Sequence, residues 1–472
     1  MLFRQFLNED LSCASYVIGN GDEALVVDPA WRIEPYLELA AARGLRIVAV
    51  LETHTHADHL SGRGRLAAAT GATVYLPARA SATDPHATLR DGDVLTLGDV
   101  GVETLATPGH RPEHVSYLVR EHGRSGEPRL LLSGDSLLVG DVARPDLAAD
   151  GLAEVVEAAQ ALHRSLRRLL SLPEHVEVWP GHIGGSLCGG GRLSDCLSST
   201  IGYERSANEE LFLDDEQTFV QDVILRTPRR PPTVETVVAH NRAPLADRLR
   251  LARLGPYEAS ALLSEGALLV DGRDAESFDR ASIPGSICLP VGEAAVGTRA
   301  AWLARPEQDV LVSGADYDSA HALADKLVAV GLPVRGVLAG GVDAWLDAEL
   351  PTSTIQAVDA ETLARLIKED AVTLVDVRDD DERLAFHVPG SLHLPWREIP
   401  ARGQEAFAKR RPIAVACATG KRAVLAAGAL RRASGPPVLR LAGAGIANLA
   451  DHGVTLLGTP PRAHRQKTWA VR

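Results

Sequence analysis

Apolar and polar positions along residues 15–135 follow two alternating patterns, one typical of strands and one typical of helices. Short apolar runs predict strands, and they read ASYVIG, ALVVDP, LRIVAVLET and ATVYLP. Between them, apolar residues recur at helical spacing from about Ile33 to Arg43, and a second helix is expected from about Leu60 to Thr70. Strands that alternate with helices indicate an α/β domain.

The second half of the chain contains an internal repeat of about 100 residues. The segment LLVDGRDAESFDRASIPGSICLP (268–290) aligns with TLVDVRDDDERLAFHVPGSLHLP (373–395). Each copy reads as strand, acidic turn and strand, then a strand that runs into a loop and a helix. This order favours a parallel sheet covered by helices. We therefore expect two related α/β domains, at 256–352 and 356–458.

A change in composition separates these repeats from the first domain. Polar, proline-bearing sequence such as LRTPRRPPTVET lies between about Phe212 and Arg250, as is common at a domain boundary. The first domain is therefore expected to span 1–245. Residues 459–472 are expected to form a basic tail.

Composition narrows the class of protein. The 472 residues are 45% hydrophobic and 24% charged, which is typical of a folded globular chain. The net charge of -13 would repel phosphates, so no nucleic-acid partner is expected. No run of roughly 18 apolar residues predicts a membrane span. The start, MLFRQFLNEDLS, has acidic residues where a signal peptide would be apolar, so we expect a cytoplasmic protein with no membrane partner.

A cluster of metal-ligand residues follows the strand-like LRIVAVLET. The run THTHADHLSG contains His54, His56, Asp58 and His59. Further candidates come after later strand-like runs, and these are His110, Asp135 and His182. Imidazole and carboxylate ligands suit zinc, iron and manganese. The sequence therefore predicts a site for one or two metal ions.

With this HxHxDH pattern followed by His, Asp and His, residues 1–245 resemble the metallo-β-lactamase superfamily. The resemblance implies an αββα sandwich. The flanks LLSGDSLLVGDVARPDL and GHIGGSLCG look like its persulfide dioxygenase branch. That branch implies one Fe(II) per chain, held by His54, His110 and Asp135, with open positions for O2 and a substrate sulfur. His56, Asp58, His59 and His182 would then surround the iron.

The same seven residues leave a hydrolase open. In hydrolytic relatives the surrounding residues belong to a second metal position, and two zinc ions about 4 Å apart, bridged by Asp135, could activate water for thioester cleavage. Residues 150–250 show no pattern of a separate helical substrate domain of the glyoxalase II kind, which favours the dioxygenase. A sulfur-sensing scaffold with a degenerate metal site is a third alternative.

Arg144 and Asp146, in ARPDL, match an Arg-x-Asp element of the dioxygenase branch. We expect them to bind substrate, because the planar guanidinium of Arg144 suits the carboxylate of a thiol carrier such as glutathione.

A second reactive group is expected in the last domain. The apolar run IAVA leads into Cys417-Ala-Thr-Gly-Lys-Arg, and an Ala-rich helix follows. Backbone N–H groups, the helix N-terminus, Lys421 and Arg422 would favour the thiolate, so Cys417 is a candidate nucleophile. With VDVRD and HVPGSLHLP, residues 356–458 resemble rhodaneses. The resemblance implies that Cys417 carries a persulfide, that Arg422 helps to hold the loop or an anionic acceptor, and that Lys421 contributes to substrate binding.

The middle domain is expected to be catalytically silent. It keeps the rhodanese marks VDGRD and SIPGSICLP, but its loop reads SGADYDS, and our alignment places Ser313 opposite Cys417. Serine cannot form a stable persulfide, and Asp316 and Asp318 would disfavour a thiolate. Such a module would suit packing between domains or subunits, which leaves a homo-oligomer open.

Together these patterns resemble fused enzymes of sulfide detoxification. The expected reaction oxidises a small thiol persulfide with O2 and water to sulfite and free thiol. The rhodanese part would transfer sulfur to or from thiosulfate or sulfite.

Overall fold

The structure is a computed structural model of the chain. It describes residues 1–123, 126–186, 188–189, 192–213, 215–243, 251–305, 307–408, 411–431 and 436–460. Two compact units divide the chain, and the first comprises Met1–Arg250 with Gly297–Ala301 and Asp325–Leu332. Residues 244–245 at the expected boundary, and residues 461–472 of the expected basic tail, lie outside the described residues.

The first unit opens with a six-stranded sheet. Its strands are β1 (Leu2–Asn8), β2 (Cys13–Asn20), β3 (Glu23–Val27), β4 (Arg46–Leu51), β5 (Thr73–Pro77) and β6 (Ala87–Leu89). Strands β1 to β3 are antiparallel, and β3 to β6 are parallel. Helices α1 (Glu34–Arg43) and α2 (Arg63–Thr70) pack on it through Tyr36 and Leu66. Helix α2 begins later than expected because Ser61 forms a β-bridge with Ala30.

A second six-stranded sheet has the order β14-β13-β10-β9-β8-β7. In chain order the strands from here are β7 (Val94–Leu97), β8 (Val100–Ala106), β9 (Val115–Glu121), β10 (Pro128–Gly134), the small pair β11 (Leu137–Leu138) and β12 (Asp141–Val142), β13 (Glu177–Pro180) and β14 (Ser199–Thr200). The helices are α3 (Leu152–Leu170), α4 (Ile201–Ala207), α5 (Glu216–Arg226) and α6 (Val234–Arg242), with a 3-10 turn at Glu209–Phe212.

The two sheets of the first unit face each other across a shared core. Ile18 and Leu51 of the first sheet pack with Tyr117 and Leu132 of the second. Helices α3 and α5 cover the outer face of the second sheet, because their apolar side chains share one cluster with its strands. The expected αββα sandwich is confirmed. These helices belong to the sandwich core and do not form a separate substrate domain.

The second unit contains two five-stranded sheets of parallel strands with the same strand order. The first, β15-β19-β18-β16-β17, is built from β15 (Ala252–Leu254), β16 (Leu268–Asp271), β17 (Ile287–Cys288), β18 (Val310–Ser313) and β19 (Val334–Leu338). The helices of this stretch of the chain are α7 (Pro256–Ser264), α8 (Ala275–Arg280), α9 (Val296–Leu303), α10 (Tyr317–Ala329) and α11 (Gly341–Asp347). Residues 297–301 of α9 and 325–329 of α10 are counted with the first unit. The expected parallel sheet is confirmed.

The second of these sheets, β20-β25-β24-β21-β23, has the active-loop candidate after β24. Its region contains β20 (Gln356–Val358), β21 (Thr373–Asp376), β22 (Phe386–His387), β23 (Leu392–His393), β24 (Ile413–Ala416), β25 (Val438–Leu441) and β26 (Leu457–Gly458), with β22 and β26 forming a separate antiparallel pair. The helices are α12 (Ala360–Lys368), α13 (Asp380–Ala385), α14 (Ile399–Arg402) and α15 (Lys421–Arg431), with 3-10 turns at Trp396–Glu398, Gly403–Phe407 and Ile446–His452.

Strand register corrects the expected equivalence of Ser313 and Cys417. Asp271 pairs with Ser313, whereas Asp376 pairs with Ala416. Because the two aspartates occupy the same place in the repeated VDxRD motif, Ser313 corresponds to Ala416. The residue opposite Cys417 is therefore Gly314. The sequence alignment was shifted by one position at this loop.

Within the part of the chain that the structure describes, no helix is long and apolar enough to cross a membrane.

Candidate functional site

The predicted metal ligands lie on four loops of the first unit, each after a strand. In chain order these are the loop after β4 with His54, His56, Asp58 and His59, the loop after β8 with His110, the loop after β10 with Asp135, and the loop after β13 with His182. All seven side chains are buried except Asp58, which is partly exposed. Since β4 belongs to one sheet and the other strands to the second, the site joins the edges of both sheets.

Three of these residues form a compact ligand set. His54, His110 and Asp135 have ligand atoms within 4.8 Å of one another. Oδ2 of Asp135 lies 3.4 Å from Nε2 of His110 and 3.9 Å from Nε2 of His54. Neither Nε2 atom has a hydrogen-bond partner among the described residues. An unpaired buried nitrogen is costly, and a metal ion would satisfy both, so these residues fit a metal.

Hydrogen bonds on the far side of each imidazole fix its tautomer. Thr53 Oγ1 donates to Asp28 Oδ2 over 2.9 Å, so this hydroxyl accepts from Nδ1 of His54, also over 2.9 Å. Nδ1 of His110 donates to the carbonyl of Arg144 over 2.9 Å. Both rings therefore present an unprotonated Nε2. Burial lowers the pKa of both histidines, which keeps them neutral and able to bind a metal.

His182 connects two carboxylates. Its Nδ1 lies 2.8 Å from Oδ1 of Asp135, and its Nε2 lies 2.8 Å from Oδ2 of Asp58. Burial alone would lower the pKa of His182, but the charge of Asp135 raises that pKa well above the ordinary value. His182 therefore orients Asp135, and it also belongs to a further group that could hold a metal, since ligand atoms of Asp58, His182 and Cys188 lie within 4.8 Å of one another.

The remaining residues of the cluster form a second group. His56, Asp58 and His59 also have ligand atoms within 4.8 Å of one another. Nε2 of His56 lies 3.0 Å from Glu52 Oε2 and 3.3 Å from Asp28 Oδ1, but neither ring nitrogen of His56 has a hydrogen-bond partner among the described residues. The geometry therefore keeps a second metal position open.

Sequence reasoning missed several residues that support this site. Asp28 and Thr53 hold His54, and His114 holds the backbone of Asp135, because its Nε2 accepts the Asp135 N–H over 2.9 Å. Burial lowers the pKa of His114 to about 4, so the ring is neutral and can accept. Asp28 had a readable signal, since a carboxylate ends the apolar run ALVVDP. Thr53 and His114 had none beyond their closeness to the ligands in sequence.

Arg144 does not present a free guanidinium to a substrate. Its side chain is 1% exposed, and Nε donates to Asp146 Oδ1 over 2.7 Å while Nη2 donates to Oδ2 over 2.9 Å. Nη2 also contacts the carbonyl of Pro228. The expected substrate-binding role of Arg144 and Asp146 stays a prediction, and in this arrangement a carboxylate ligand would have to displace Asp146 from Arg144. The backbone of Arg144 serves the site instead, through His110.

The second reactive group, Cys417, lies at the turn between β24 and α15. The residue is fully buried, and its Sγ accepts the N–H of Gly420 over 3.1 Å. Gly420 has φ +88°, which favours glycine and turns the N–H toward the sulfur. The carbonyl of Cys417 accepts the N–H of Ile446 over 2.9 Å. The loop thus holds one sulfur atom between backbone groups.

Arg422 and Lys421 differ in their surroundings. Arg422 donates to Glu382 over 2.5 and 2.7 Å and to Asp379 over 3.2 Å. These contacts raise the pKa of Arg422 against the opposing effect of burial. Lys421 is exposed beside the loop. The charge of Arg422 is therefore balanced by carboxylates, whereas the side chain of Lys421 is open to solvent.

The equivalent loop of the middle module has no nucleophile. A Cβ atom on Gly314 would lie 2.6 Å from the backbone nitrogen of Ala320 and 2.6 Å from Ser319 Oγ, so a side chain does not fit there. Asp316 Oδ1 accepts the N–H of Ser319 over 2.7 Å. The carboxylate of Asp316 thus lies at the start of α10. In the last module, the start of the corresponding helix, α15, faces Cys417 instead.

Comparisons with protein-family models cover both halves of the chain. Residues 8–182 match the family model "Metallo-beta-lactamase superfamily", and residues 255–348 and 359–448 match the model "Rhodanese-like domain". The chain is therefore a metallo-β-lactamase superfamily domain followed by two rhodanese-like domains, and the predicted fusion is confirmed.

Among similar proteins is the human protein named "Persulfide dioxygenase ETHE1, mitochondrial". It is 28% identical over 222 residues, which are 46% of this chain and 78% of that protein. A hydroxyacylglutathione hydrolase of Methylobacillus flagellatus is 35% identical over 161 residues, 34% of this chain and 57% of that protein. A solved metallo-beta-lactamase of Staphylococcus aureus subsp. aureus COL has a TM-score of 0.63 and 28% identity, and it covers 72% of this chain and 99% of its own. That similarity extends beyond the metallo-β-lactamase domain.

Proposed function

We propose that the chain is a persulfide dioxygenase with rhodanese activity. The first domain would convert a small thiol persulfide, O2 and water into the free thiol and sulfite. In this reaction RSSH, O2 and H2O give RSH and H2SO3, so the outer sulfur is oxidised and O2 is reduced. The observation that carries the proposal is the pair of unpaired, neutral imidazole nitrogens facing the buried carboxylate of Asp135.

One Fe(II) per chain would be held by His54, His110 and Asp135. Two imidazoles and one carboxylate leave coordination positions open, and the iron would supply a redox-active centre for O2 and sulfur. The chain's own groups prepare this site. Thr53 and the Arg144 carbonyl hold the imidazole tautomers, and His182 orients Asp135. Burial of the ligands keeps bulk water away.

The last domain would move sulfane sulfur through Cys417. Its thiolate attacks the outer sulfur of thiosulfate, the S–S bond of thiosulfate breaks, and sulfite leaves with the electron pair. A thiol acceptor then takes the outer sulfur and restores the Cys417 thiolate. Run in reverse, the same steps combine sulfite with sulfane sulfur to give thiosulfate. The buried Sγ and the Gly420 N–H support this role.

A two-zinc thioester hydrolase fused to sulfurtransferase modules is the second candidate. It is favoured by the group of His56, Asp58 and His59 and by the similarity to proteins named hydroxyacylglutathione hydrolase. Against it stands the packing of helices α3 and α5 on the second sheet, where they do not form a separate helical substrate domain of the glyoxalase II kind.

Metal analysis of anaerobically purified protein separates the two candidates. We expect one iron per chain, O2 uptake with glutathione persulfide, and no hydrolysis of a glutathione thioester. Two zinc ions with thioester hydrolysis and no O2 uptake would replace the proposal with the second candidate. A chain with neither metal nor turnover would refute both.

A further inference from the structure

Helix α6 lies in the stretch that composition assigned to a domain boundary, yet it is attached to the metal loop. Its Asn241 is 5% exposed. Nδ2 of Asn241 donates to the carbonyl of His56 over 3.0 Å and to the carbonyl of His59 over 2.8 Å. Its Oδ1 accepts the N–H of Ser61 over 2.9 Å. One side chain from about 180 residues away thus binds the loop at three points.

The partners fix which way the amide points. Two of them are carbonyl oxygens, which only accept, and the third is a backbone N–H, which only donates. A flipped amide would lose all three bonds. The three bonds therefore require the amide group of Asn241, because a carboxylate at the same place could not donate to either carbonyl.

The two carbonyls lie on either side of Asp58. From Asp58 a chain of short contacts leads to the ligand set, since Asp58 Oδ2 is 2.8 Å from His182 Nε2 and His182 Nδ1 is 2.8 Å from Asp135 Oδ1. Asn241 is in this way connected to the orientation of Asp135 without touching it.

Helix α6 is itself held in place. Val234 and Val238 pack against Ala57 of the metal loop. The carbonyl of Arg242 accepts the N–H of Thr83 over 2.8 Å. The helix therefore gives Asn241 a rigid support.

We propose that Asn241 is a positioning residue for the metal centre. It sets the backbone on both sides of Asp58, so that Asp58 and His182 hold Asp135 in the ligand geometry. The inference rests on the metal-binding part of the proposed function. It does not depend on whether the reaction is oxidation or hydrolysis.

The test compares Asn241→Asp and Asn241→Ala with wild type and with His240→Ala, a change at the exposed neighbouring position. Each full-length protein is stripped of metal and titrated with Co(II), whose visible absorption reports ligand geometry. The melting temperature of the metal-free protein is measured in parallel. We expect both Asn241 variants to bind Co(II) about 10-fold more weakly, with an altered spectrum; this is the lower end of the range for groups that contact a ligand directly, because Asn241 acts through Asp58 and His182. His240→Ala should match wild type.

A purely structural role would give a different result. If the Asn241 variants melt earlier but bind Co(II) with the wild-type affinity and spectrum, Asn241 does not position the centre. If Asn241→Asp does not fold, Asn241→Ala replaces it in the test, because alanine introduces no charge. Wild-type Co(II) binding by Asn241→Ala would also overturn the inference. Absence of Co(II) binding by wild type would instead refute the metal site, and this inference with it.

Discussion

The hydroxyl of Thr53 offers a sharp test of the metal centre, because Thr53→Val removes it without changing the shape of the side chain. In the structure this hydroxyl donates to Asp28 and accepts from Nδ1 of His54. The backbone N–H of Thr53 still donates to Asp28 over 2.7 Å in the variant, so the loop keeps one anchor. What is lost is the group that keeps the proton on Nδ1 of His54.

The expected size of the effect follows from these contacts. Loss of an outer-sphere partner typically weakens metal binding about 10 to 100-fold, or about 1.4 to 2.7 kcal/mol. The unpaired Nδ1 and carboxylate oxygen also destabilise the folded protein by about 1 to 3 kcal/mol. The first effect is measured by competition for Co(II) or Fe(II) against a chelator, and the second by urea denaturation of metal-free protein.

Thr55→Val is the matched control. Thr55 is 4% exposed in the same loop, but among the described residues its hydroxyl donates to the carbonyl of Ala80 over 3.4 Å and to no ligand imidazole. We expect this variant to keep wild-type metal affinity. Equal metal affinity in Thr53→Val and Thr55→Val would refute the reasoning that Thr53 sets the tautomer of His54.

Three further predictions concern the ligands and the two rhodanese modules. The three proposed metal ligands are His54, His110 and Asp135. Alanine at any one of them should remove the metal, measured by elemental analysis, and abolish persulfide-dependent O2 uptake, measured with an oxygen electrode. Cys417→Ser should abolish thiosulfate sulfurtransferase activity with unchanged metal content, whereas Gly314→Cys should add no activity and destabilise the fold by about 1 to 3 kcal/mol in urea denaturation, because its Cβ has no space. In the second unit, Nε of the buried Arg440 donates to the carboxylate oxygens of Asp279 over 2.9 and 3.0 Å. Asp279→Ala would leave this guanidinium buried without its carboxylate, so it should destabilise the second unit by about 3 to 5 kcal/mol. A change in the free energy of unfolding below about 1 kcal/mol would contradict this.

Several features of this protein follow from local sequence alone. Periodicity indicates the strands and helices of the sandwich, since one face of each must be buried. The HxHxDH run ends a strand, so its ligands are close in space because they are close in sequence. The position of Cys417 between an apolar strand and a helix can likewise be read from the neighbouring residues alone. The repeat of about 100 residues predicts two modules of one fold, and the identical strand orders agree with it.

Tertiary structure alone decided the contacts between distant residues. Matching letters placed Ser313 opposite Cys417, but hydrogen-bonded register between strands places Gly314 there. The guanidinium of Arg144 looked available until packing buried it against Asp146. Asn241 lies in sequence that resembles a linker, yet it binds a loop about 180 residues earlier. Such pairings depend on which surfaces the packed core brings together, and periodicity contains no information about them.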